Sequence, residues 1–498
     1  MADQAGFEAM AQRSRPAASD PFAGAISRRP VWALQLRISE RRVLLMLGDV
    51  LASLGSVLLA LRIWAFIAGH AFTQSFLMGH WYWFVLLPVL WYFLASANDY
   101  YNLRVSARVS SSLRRLARIT LQLLLVYLAI FFVSPRDALP RLFIVYYAVI
   151  SLALLGLWRG CRVFLIGWTG FRRRALIVGT GRSADLVREA IAHEANGDYE
   201  ILGCVASDEE TEPEAMPGVP LLGTGARLPE LAGKLGVSEL ILAYVNELPG
   251  DIFQGVMTCY ERNVAIVPMP LLYEQITRRV PVEHVGEHFW ALMLPMEGAT
   301  LASNLYQMIK RLLDIALALV GLALFAAIFP VLALLIELDS PGPIFFRQER
   351  IGRGGVPFTM IKLRTMIPNA EEASGPAWAA DNDPRMTRVG RVLRKTRLDE
   401  VPQLINVLAG SMSIVGPRPE RQVFVDLLAQ QIPFYRTRLV VKPGLTGWAQ
   451  VRYPYGSTTE DALYKLQFDL YYIRHQGLML DLHIMLRTIG TMLTLGGT

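Results

Sequence analysis

Two adjacent carboxylates, Asp399 and Glu400, stand in the segment RKTRLDEVPQLINVLAGSMSIVGPRP, residues 394–419. Successive residues of a helix point about 100° apart, so this pair does not share a face as the two carboxylates of a glycosidase do. If both acids are catalytic, they therefore have different roles. An ionised aspartate can act as a nucleophile or as a ligand of Mg²⁺.

The local sequence predicts how Asp399 is held. Asp399 is a good helix N-cap, Pro402 fits the first turn and Gly410 fits the C-terminus, which predicts a short helix. A carboxylate at a helix N-terminus near cations such as Arg394 is expected to stay ionised, with a pKa below the ordinary value of about 3.9. The alternative is an ordinary capping aspartate next to a surface Glu400.

Basic residues around this pair could bind phosphate. Arg418 lies in the sequence GPRP, where two prolines limit the directions of its guanidinium, as expected of a phosphate clamp. Lys362 and Arg364 are two residues apart on a predicted β-hairpin, so both would point to one face and suit a diphosphate. A charged, solvated strand edge is the alternative for those two cations.

Composition favours a membrane protein over a soluble enzyme. Hydrophobic residues make up 53% of the 498 residues, and the net charge is +7. That charge suits lipid headgroups, nucleic acid or a phosphorylated substrate, so position has to decide among them. Residues 1–40 lack an apolar core followed by a cleavage site, which predicts a disordered tail and no signal peptide.

Four apolar segments predict membrane crossings. Each is near the ~20 residues that a helix needs to span hydrocarbon, and they cover residues 43–68, 80–97, 117–134 and 142–158. Arginines flank both ends of this bundle, whereas loop 69–79 has neither Lys nor Arg, so both ends are expected in the cytoplasm. Arg136 and Arg141 are a weaker, opposite signal. Asp49, inside the first segment, is expected to be a helix-packing or interfacial residue in preference to a functional acid.

Residues 172–268 have the pattern of a soluble α/β domain. The sequence RRRALIVGTGRSADLVREAIAHE indicates a strand, a glycine turn and a helix, and four further β-rich runs follow. Gly179, Gly181 and Ala184 fit the G-x-G-x-x-A form of a dinucleotide fingerprint, but the acidic residue expected at the end of the second strand is not clear. The glycines therefore either approach a nucleotide or merely turn the chain.

A second long apolar run, residues 312–336, is interrupted by Pro330. Its length fits a fifth crossing, but proline predicts a sharp bend and both flanks are basic. We predict a re-entrant helix-break-helix that enters the membrane and returns to the same side. Lys310 and Arg311 precede Asp314 by four and three residues, so they are expected to neutralise this carboxylate near the headgroups.

The motifs around these residues resemble those of one family. They are KRLLD before the proline-interrupted run, FRQERIG, IKLRTM, LRKTRLDEVPQLINVLAGSMSIVGPRP and KPGLTGWAQV. In this order and spacing, from about residue 305 to 495, they resemble the bacterial polyprenyl-phosphate sugar-1-phosphate transferases, the monotopic phosphoglycosyl transferases. The N-terminal spans and the middle domain are similar to those of its large members, which initiate exopolysaccharide, capsule or O-antigen assembly.

The resemblance implies a two-step reaction. Asp399 would attack the sugar-proximal phosphate of a UDP-sugar, releasing UMP and leaving a phosphosugar on the carboxylate. Undecaprenyl phosphate would then take the phosphosugar to give undecaprenyl-diphospho-sugar. Glu400 would assist, and Mg²⁺ near Asp399 would offset phosphate charge. The residues that match the family's basic residues around the phosphates are Lys362, Arg364, Arg394 and Arg418.

The predicted fold has a membrane α-helical bundle of four spans (41–168), a Rossmann-like α/β regulatory domain (172–268), a linker (269–304) and an α+β monotopic catalytic domain with a re-entrant helix (305–498). We expect a multi-pass protein of the bacterial inner (cytoplasmic) membrane, with a cytoplasmic catalytic domain that contacts membrane lipid. UDP-sugar and undecaprenyl phosphate are the expected partners. Nucleic acid is not expected, a homodimer is left open, and no motif identifies the sugar.

Two other functions stay open. A membrane-bound NAD-dependent nucleotide-sugar dehydratase would use the 172–268 domain together with a Tyr-x-x-x-Lys pair. Tyr306 and Lys310 have that spacing but stand at the start of the re-entrant segment, so we interpret the match as chance. A membrane scaffold whose middle domain binds a regulatory nucleotide would leave Asp399 as an ordinary helix cap.

Overall fold

The structure is a computed structural model that describes residues 38–98, 100–101, 109–133, 142–165, 172–195, 198–208, 216–244, 247–284, 301–368, 370, 385–453, 456 and 458–493. The predicted tail up to residue 37, Arg136 and Arg141, and residues 285–300 of the predicted linker lie outside this part of the chain. The described residues belong to two compact units: one contains Trp168–Glu189 and Asn196–Met269, and the other contains Arg37–Gly167, Ala190–Ala195 and Pro270–Thr498.

The N-terminal region is helical. Its helices are α1 (Ile38–Ile67), α2 (Gln74–Gly79), α3 (Trp83–Ala97), α4 (Val109–Val133) and α5 (Phe143–Leu165). Within the described residues, Val43–Ile67 and Phe143–Cys161 are long and apolar enough to cross a membrane, and Trp83–Ser96 is apolar but shorter. Helices thus form where all four crossings are predicted, while the number that cross stays a prediction.

Asp49 makes the predicted packing contact inside the helical bundle. Its side chain is fully buried, and its Oδ1 accepts a hydrogen bond of 3.2 Å from Arg159 Nε on α5. The Arg159 guanidinium also lies 4.0 Å from the centre of the Tyr100 ring. A buried carboxylate in an apolar bundle needs such a partner, so Asp49 is accounted for by helix packing.

The first unit contains a parallel sheet of five strands in the order β3-β2-β1-β4-β5. Its elements are β1 (Arg173–Val178), the part of α6 (Gly181–Glu194) up to Glu189, β2 (Tyr199–Ala206), β3 (Leu221–Thr224), α7 (Leu228–Leu235), β4 (Glu239–Leu242), α8 (Gly250–Glu261) and β5 (Ala265–Pro268). Because parallel strands need crossover helices, a β-α-β sequence gives this Rossmann-like order. All five strands predicted from the β-rich runs are confirmed.

The glycine turn after β1 has a conformational reason. Gly179 and Gly181 have φ angles of 113° and 78°, which glycine adopts without steric cost. A Cβ on Gly179 would also lie 3.2 Å from the Tyr244 ring. The turn and its packing therefore account for both glycines without a bound nucleotide.

The second unit also contains the helices and short strands that follow the Rossmann-like sheet. These are α9 (Met269–Thr277), α10 (Leu301–Asp339), β6 (Phe345–Ile351), β7 (Pro357–Leu363), α11 (Arg388–Thr396), α12 (Leu404–Ala409), β8 (Ser413–Val415), α13 (Gln422–Gln431), β9 (Gly444–Thr446), α14 (Trp448–Arg452), α15 (Thr459–Arg474) and α16 (Leu478–Leu493). Strands β6 and β7 form the predicted antiparallel hairpin, and β8 pairs with β9 in parallel.

The first part of the predicted linker packs against α15 and the residue that follows it. Glu274 on α9 is 4% exposed and accepts hydrogen bonds from Arg474 Nη1 (2.6 Å) and His475 Nε2 (2.8 Å). Farther along, Val280 N–H donates to the Gln467 carbonyl at 3.1 Å. Residues 270–284 are thus a packed part of the second unit, which their mixed composition does not reveal.

Helix α10 runs from Leu301 to Asp339 as one helix, with Pro330 inside it. The predicted break is therefore wrong as secondary structure. Proline removes one backbone donor and crowds the preceding turn, which bends a helix but leaves the hydrogen bonds on either side available. The residues 302–339 form the third helix in the described chain that is long and apolar enough for a membrane.

One face of α10 packs closely on α12 and the residues directly after it. Ala318 is fully buried in a cluster with Leu404, Val407 and Met412. A Cβ on Gly321 would come 2.6 Å from Leu404 Cδ1. Small residues therefore let this stretch of helix approach α12.

This packing predicts an asymmetric response to two identical substitutions. Ala318→Leu overfills the cluster and should destabilise the protein by about 1–3 kcal/mol, whereas Ala323→Leu, on the exposed side of α10, should not. Thermal unfolding of both purified variants in the same detergent measures the difference. Equal midpoints for the two variants would contradict the packing described here.

Candidate active site

Asp399 and Glu400 lie in a 3-10 helix, Leu398–Gln403, directly before α12. Arg397, in the left-handed conformation with φ of 60°, ends α11 and precedes this 3-10 helix. Asp399 is therefore inside the turn, and its predicted role as N-cap is wrong. The predicted C-terminus is confirmed, because Gly410 ends α12 with φ of 86°, a conformation that favours glycine.

Glu400 is surrounded by cations. Its Oε1 lies 2.7 Å from Arg418 Nη2, 3.4 Å from Lys362 Nζ and 3.8 Å from Arg397 Nη1. The side chain is almost completely buried. Burial alone would raise the pKa of Glu400, but the charges of Arg418, Lys362 and Arg397 outweigh it and hold the pKa far below its ordinary range. Glu400 is thus the member of the pair whose ionised form the surrounding cations stabilise.

Asp399 has the opposite environment. It is 6% exposed, and its Oδ1 has no hydrogen-bond partner among the described residues. Burial, and next the negative charge of Glu400, raise the pKa of Asp399 against the opposing effect of the nearby cations. The predicted depression of this pKa is therefore wrong, because the cations of the site pair with Glu400 and leave Asp399 less compensated.

The four predicted phosphate-binding cations divide into two groups. Lys362 and Arg418 both contact Glu400. Arg394 acts electrostatically on Asp399, while its Nε donates to Thr365 Oγ1 at 3.0 Å. Burial lowers the pKa of the Lys362 ammonium, as it disfavours the charged form. Lys362, Arg394 and Arg418 are therefore brought to the carboxylate pair.

Arg364 belongs to the second group. Strand β7 ends at Leu363, so the alternation that would place Arg364 on the face of Lys362 does not extend to it. Its guanidinium donates to the carbonyls of Ser340 and Pro341, directly after α10. Arg364 therefore bonds to the C-terminal end of the apolar helix, and the predicted shared face with Lys362 is not observed.

The polar residues at the start of α10 bond to residues far along the chain in the second unit. Asp481 Oδ2 accepts hydrogen bonds from Lys310 Nζ (2.7 Å) and Tyr306 OH (2.9 Å). Arg311 donates to the carbonyls of Val407 and Leu408.

Asp314 completes this set through a backbone contact, because its Oδ1 accepts from Ile414 N–H at 3.0 Å. The predicted neutralisation of Asp314 by Lys310 and Arg311 is therefore wrong, since both cations have partners from distant parts of the chain. Tyr306 and Lys310, the pair with dehydratase spacing, lie in the second unit and share Asp481.

Two buried residues near the site are missed by sequence reasoning. Arg438 donates to Asp469 Oδ2 at 2.9 Å and to the Arg418 carbonyl at 3.0 Å. Arg438 and Asp469 are separated by 31 positions, so no local spacing connects them. Asp469 has a weak local signal, because it stands between Phe468 and Leu470 and a charged residue is rarely buried. Arg438 has none, since it lies close to the other cations Arg436 and Lys442.

A predicted Mg²⁺ would have one protein ligand with a suitable donor atom. The described residues contain no group of three or more His, Cys, Asp or Glu side chains placed to hold a metal. Magnesium in phosphate-binding sites commonly takes one or two carboxylates, with substrate phosphates and water completing the shell. The Asp399 carboxylate fits that arrangement, whereas Glu400 is occupied by cations.

Two family profiles match the chain. The bacterial sugar transferase family matches residues 305–495, and the CoA-binding domain matches residues 96–270. The first match covers the whole region that carries the carboxylate pair and its cations. The second includes the Rossmann-like sheet.

Individual relatives agree with the first profile. The UDP-glucose:undecaprenyl-phosphate glucose-1-phosphate transferase of Escherichia coli (strain K12) is 30% identical over 424 residues, which are 83% of this chain and 89% of that protein. A transferase of the same name from Caulobacter vibrioides is 47% identical over 187 residues, 37% of this chain and 70% of the relative. The UDP-N-acetylgalactosamine-undecaprenyl-phosphate N-acetylgalactosaminephosphotransferase of Aeromonas hydrophila is 40% identical over 249 residues, 50% of this chain and 57% of the relative's own length.

The match to the Escherichia coli protein extends over most of both chains, and the profile match contains the motifs that position Asp399, Glu400 and Arg418. By these matches, the chain belongs to the family of bacterial undecaprenyl-phosphate sugar-1-phosphate transferases.

Proposed function

We propose that this chain transfers a sugar 1-phosphate from a UDP-sugar to undecaprenyl phosphate, by way of a phosphosugar bound to Asp399. One observation carries this proposal. A buried carboxylate oxygen of Asp399 lacks a hydrogen-bond partner in the described chain, next to a Glu400 that gathers three cations. An uncompensated carboxylate beside a cationic cluster is suited to attack a phosphorus atom whose oxygens the cations bind.

In the first step, Asp399 Oδ1 attacks the sugar-proximal phosphorus of the diphosphate. A bond forms between Oδ1 and phosphorus as the bond from phosphorus to the bridging oxygen breaks, so UMP leaves with that oxygen. Before substrate binds, Glu400 keeps Arg418 and Lys362 in place. When the diphosphate binds, both cations can turn from Glu400 towards its phosphate oxygens. Mg²⁺ bound by Asp399 and the diphosphate would offset negative charge.

In the second step, a phosphate oxygen of undecaprenyl phosphate attacks the same phosphorus. The bond between phosphorus and Asp399 breaks, which gives undecaprenyl-diphospho-sugar and restores the carboxylate. Each step exchanges one phosphorus–oxygen bond for another, so no external oxidant or reductant is needed. The lipid phosphate has to reach the site from the membrane surface.

Contacts at both ends of α10 support a catalytic domain that stays on one side of the membrane. Near the start, Arg311 bonds to Val407, and at the end Asp339 Oδ2 accepts from Val389 N–H at 2.8 Å. The 28 residues from Leu312 to Asp339 would extend about 42 Å as a straight helix, which exceeds the ~30 Å of hydrocarbon. A crossing would separate two ends that contact one domain, so we propose a re-entrant helix with the domain in the cytoplasm.

Cysteine labelling from each side of intact cells tests this topology. In a background without Cys161, we expect a cysteine replacing exposed Glu349 to react only with reagent that reaches the cytoplasm. Gln74→Cys, at the start of α2 between α1 and α3, should react with impermeant reagent from outside. Labelling of Glu349→Cys from outside would refute the re-entrant arrangement.

The transfer itself is tested with membranes that contain the protein, a panel of labelled UDP-sugars, Mg²⁺ and undecaprenyl phosphate. We expect UMP release and a lipid-linked sugar diphosphate with at least one member of the panel. The same panel identifies the sugar. Absence of both products with every sugar would refute the proposed function.

A further inference from the structure

The loop Gly416–Glu420, which carries Arg418 and is called the GPRP loop below, is held through its backbone. Each of its last four carbonyl oxygens accepts a hydrogen bond: Pro417 from Gly444 N–H (2.8 Å), Arg418 from Arg438 Nη2 (3.0 Å), Pro419 from Arg350 Nη1 (3.2 Å) and Glu420 from Ile351 N–H (2.9 Å). The two prolines fix the backbone further. Because four consecutive carbonyls of the loop are hydrogen-bonded, the Cα position of Arg418 and the direction in which its side chain leaves the backbone are fixed.

Arg438 supplies the bond at the residue that reaches the active site. Its guanidinium is 7% exposed and donates to Tyr435 OH at 2.7 Å, in addition to Asp469 and the Arg418 carbonyl. Asp469, on α15, is 2% exposed. The planar guanidinium can satisfy three acceptors in fixed directions, which a lysine ammonium on a flexible stem does less well.

These contacts form a continuous series. Asp469 bonds to Arg438, Arg438 bonds to the carbonyl of Arg418, and the guanidinium of Arg418 bonds to Glu400 at 2.7 Å. Glu400 is adjacent to Asp399 in the chain. The buried ion pair of Arg438 and Asp469 is therefore connected to the carboxylate pair through Arg418, whose backbone it helps to hold.

We propose that Arg438 and Asp469 are positioning residues, which hold the GPRP loop so that the Arg418 guanidinium meets the transferred phosphate. This inference rests on the proposed function for its catalytic consequence, and on the contacts alone for its structural one. A shift of about 1 Å in a group that binds a reacting phosphate can cost roughly 10²-fold in rate. Arg438 and Asp469 themselves touch neither Asp399 nor Glu400 among the described contacts.

The structural part is tested in the full-length protein by hydrogen exchange. Removal of one buried partner would leave the other charge uncompensated, so the informative variant replaces both, Arg438→Met with Asp469→Leu, as apolar pairs often substitute without loss of folding. We expect amide exchange in peptides covering 416–420 to rise at least about tenfold relative to wild type. The matched control is Arg173→Met with Glu239→Leu, a buried pair in the first unit, and it should leave that exchange unchanged.

The catalytic part is tested by a double-mutant cycle with Arg418→Gln. Arg438→Lys keeps the charge that faces Asp469, and we expect it to lower kcat/KM by roughly 10- to 100-fold in the wild-type background. In the Arg418→Gln background it should have almost no further effect, because the group that it positions is gone. A purely structural role would lower activity equally in both backgrounds.

Two results would overturn the inference: unchanged exchange over 416–420 in the Arg438 and Asp469 double variant, or equal losses of kcat/KM in both backgrounds of the cycle. Inactivity of the wild type with every UDP-sugar would instead refute the proposed function. In that case the exchange comparison still decides whether this ion pair holds the GPRP loop.

Discussion

Asp399→Asn is expected to abolish transfer while leaving folding intact. The amide keeps the shape of the side chain but is not a nucleophile, so UMP release should fall by at least roughly 10³-fold. Folding should be unaffected or slightly favoured, because the substitution removes one of two adjacent buried negative charges. The measurement is the rate of UMP release, with thermal unfolding of the same preparation.

The control for Asp399→Asn is Asp426→Asn on α13. Asp426 lies in the same unit, and its side chain is half exposed and 3.6 Å from Arg436. The substitution therefore removes a carboxylate that is solvated, in contrast to the buried Asp399. We expect near wild-type turnover from it. Turnover of Asp399→Asn at a similar rate would refute the assignment of Asp399 as the nucleophile.

Glu400→Gln is expected to lower the rate and to change its dependence on pH. Without the carboxylate, Arg418 and Lys362 lose the partner that holds them, which should cost roughly 10²-fold in kcat/KM. The substitution also removes a charge that raises the pKa of Asp399. Asp399 must be ionised to attack, so activity is lost as the pH falls through its pKa.

The sign of the pH effect follows from these environments. In the wild type, the acidic limb of kcat/KM should lie clearly above the ordinary aspartate pKa of about 3.9. In Glu400→Gln the pKa of Asp399 should fall, both because the neighbouring negative charge is gone and because the two cations are released towards it. The limb should therefore move to lower pH. A limb that stays in place, or moves to higher pH, would show that another group controls it.

Much of the fold could be predicted from local patterns. The five strands of the first unit follow apolar runs of four to eight residues, and the hairpin of β6 and β7 is built around a Gly-rich turn. Gly410 was identifiable as a helix end because glycine adopts a positive φ at little cost. The same local patterns did not show that residues 269–284 pack on α15, since those contacts join positions about 200 residues apart.

The residues of the site could be chosen from the sequence, but not their charge states. Arg418 and Lys362 are 18 and 38 positions from Glu400, so their pairing with Glu400 and not with Asp399 is a property of the tertiary structure. That choice reverses the expected pKa of Asp399. Likewise, the sequence predicts Arg364 on the same strand face as Lys362, but β7 ends one residue before it, at Leu363. The hydrogen bonds of Arg364 to the carbonyls that follow α10 join distant positions, which no local spacing rule predicts.

The most direct test of the central claim is to look for the phosphosugar on Asp399. The full-length protein is mixed with Mg²⁺ and a UDP-sugar that the panel assay identifies as a substrate, in the absence of undecaprenyl phosphate. The reaction is then quenched and the protein is digested for mass spectrometry. We predict a mass increase equal to one sugar phosphate on the peptide containing Asp399, absent from Asp399→Asn and removed when undecaprenyl phosphate is added before the quench. UMP release that proceeds only with undecaprenyl phosphate present, with no modified peptide at any time, would contradict a covalent intermediate on Asp399.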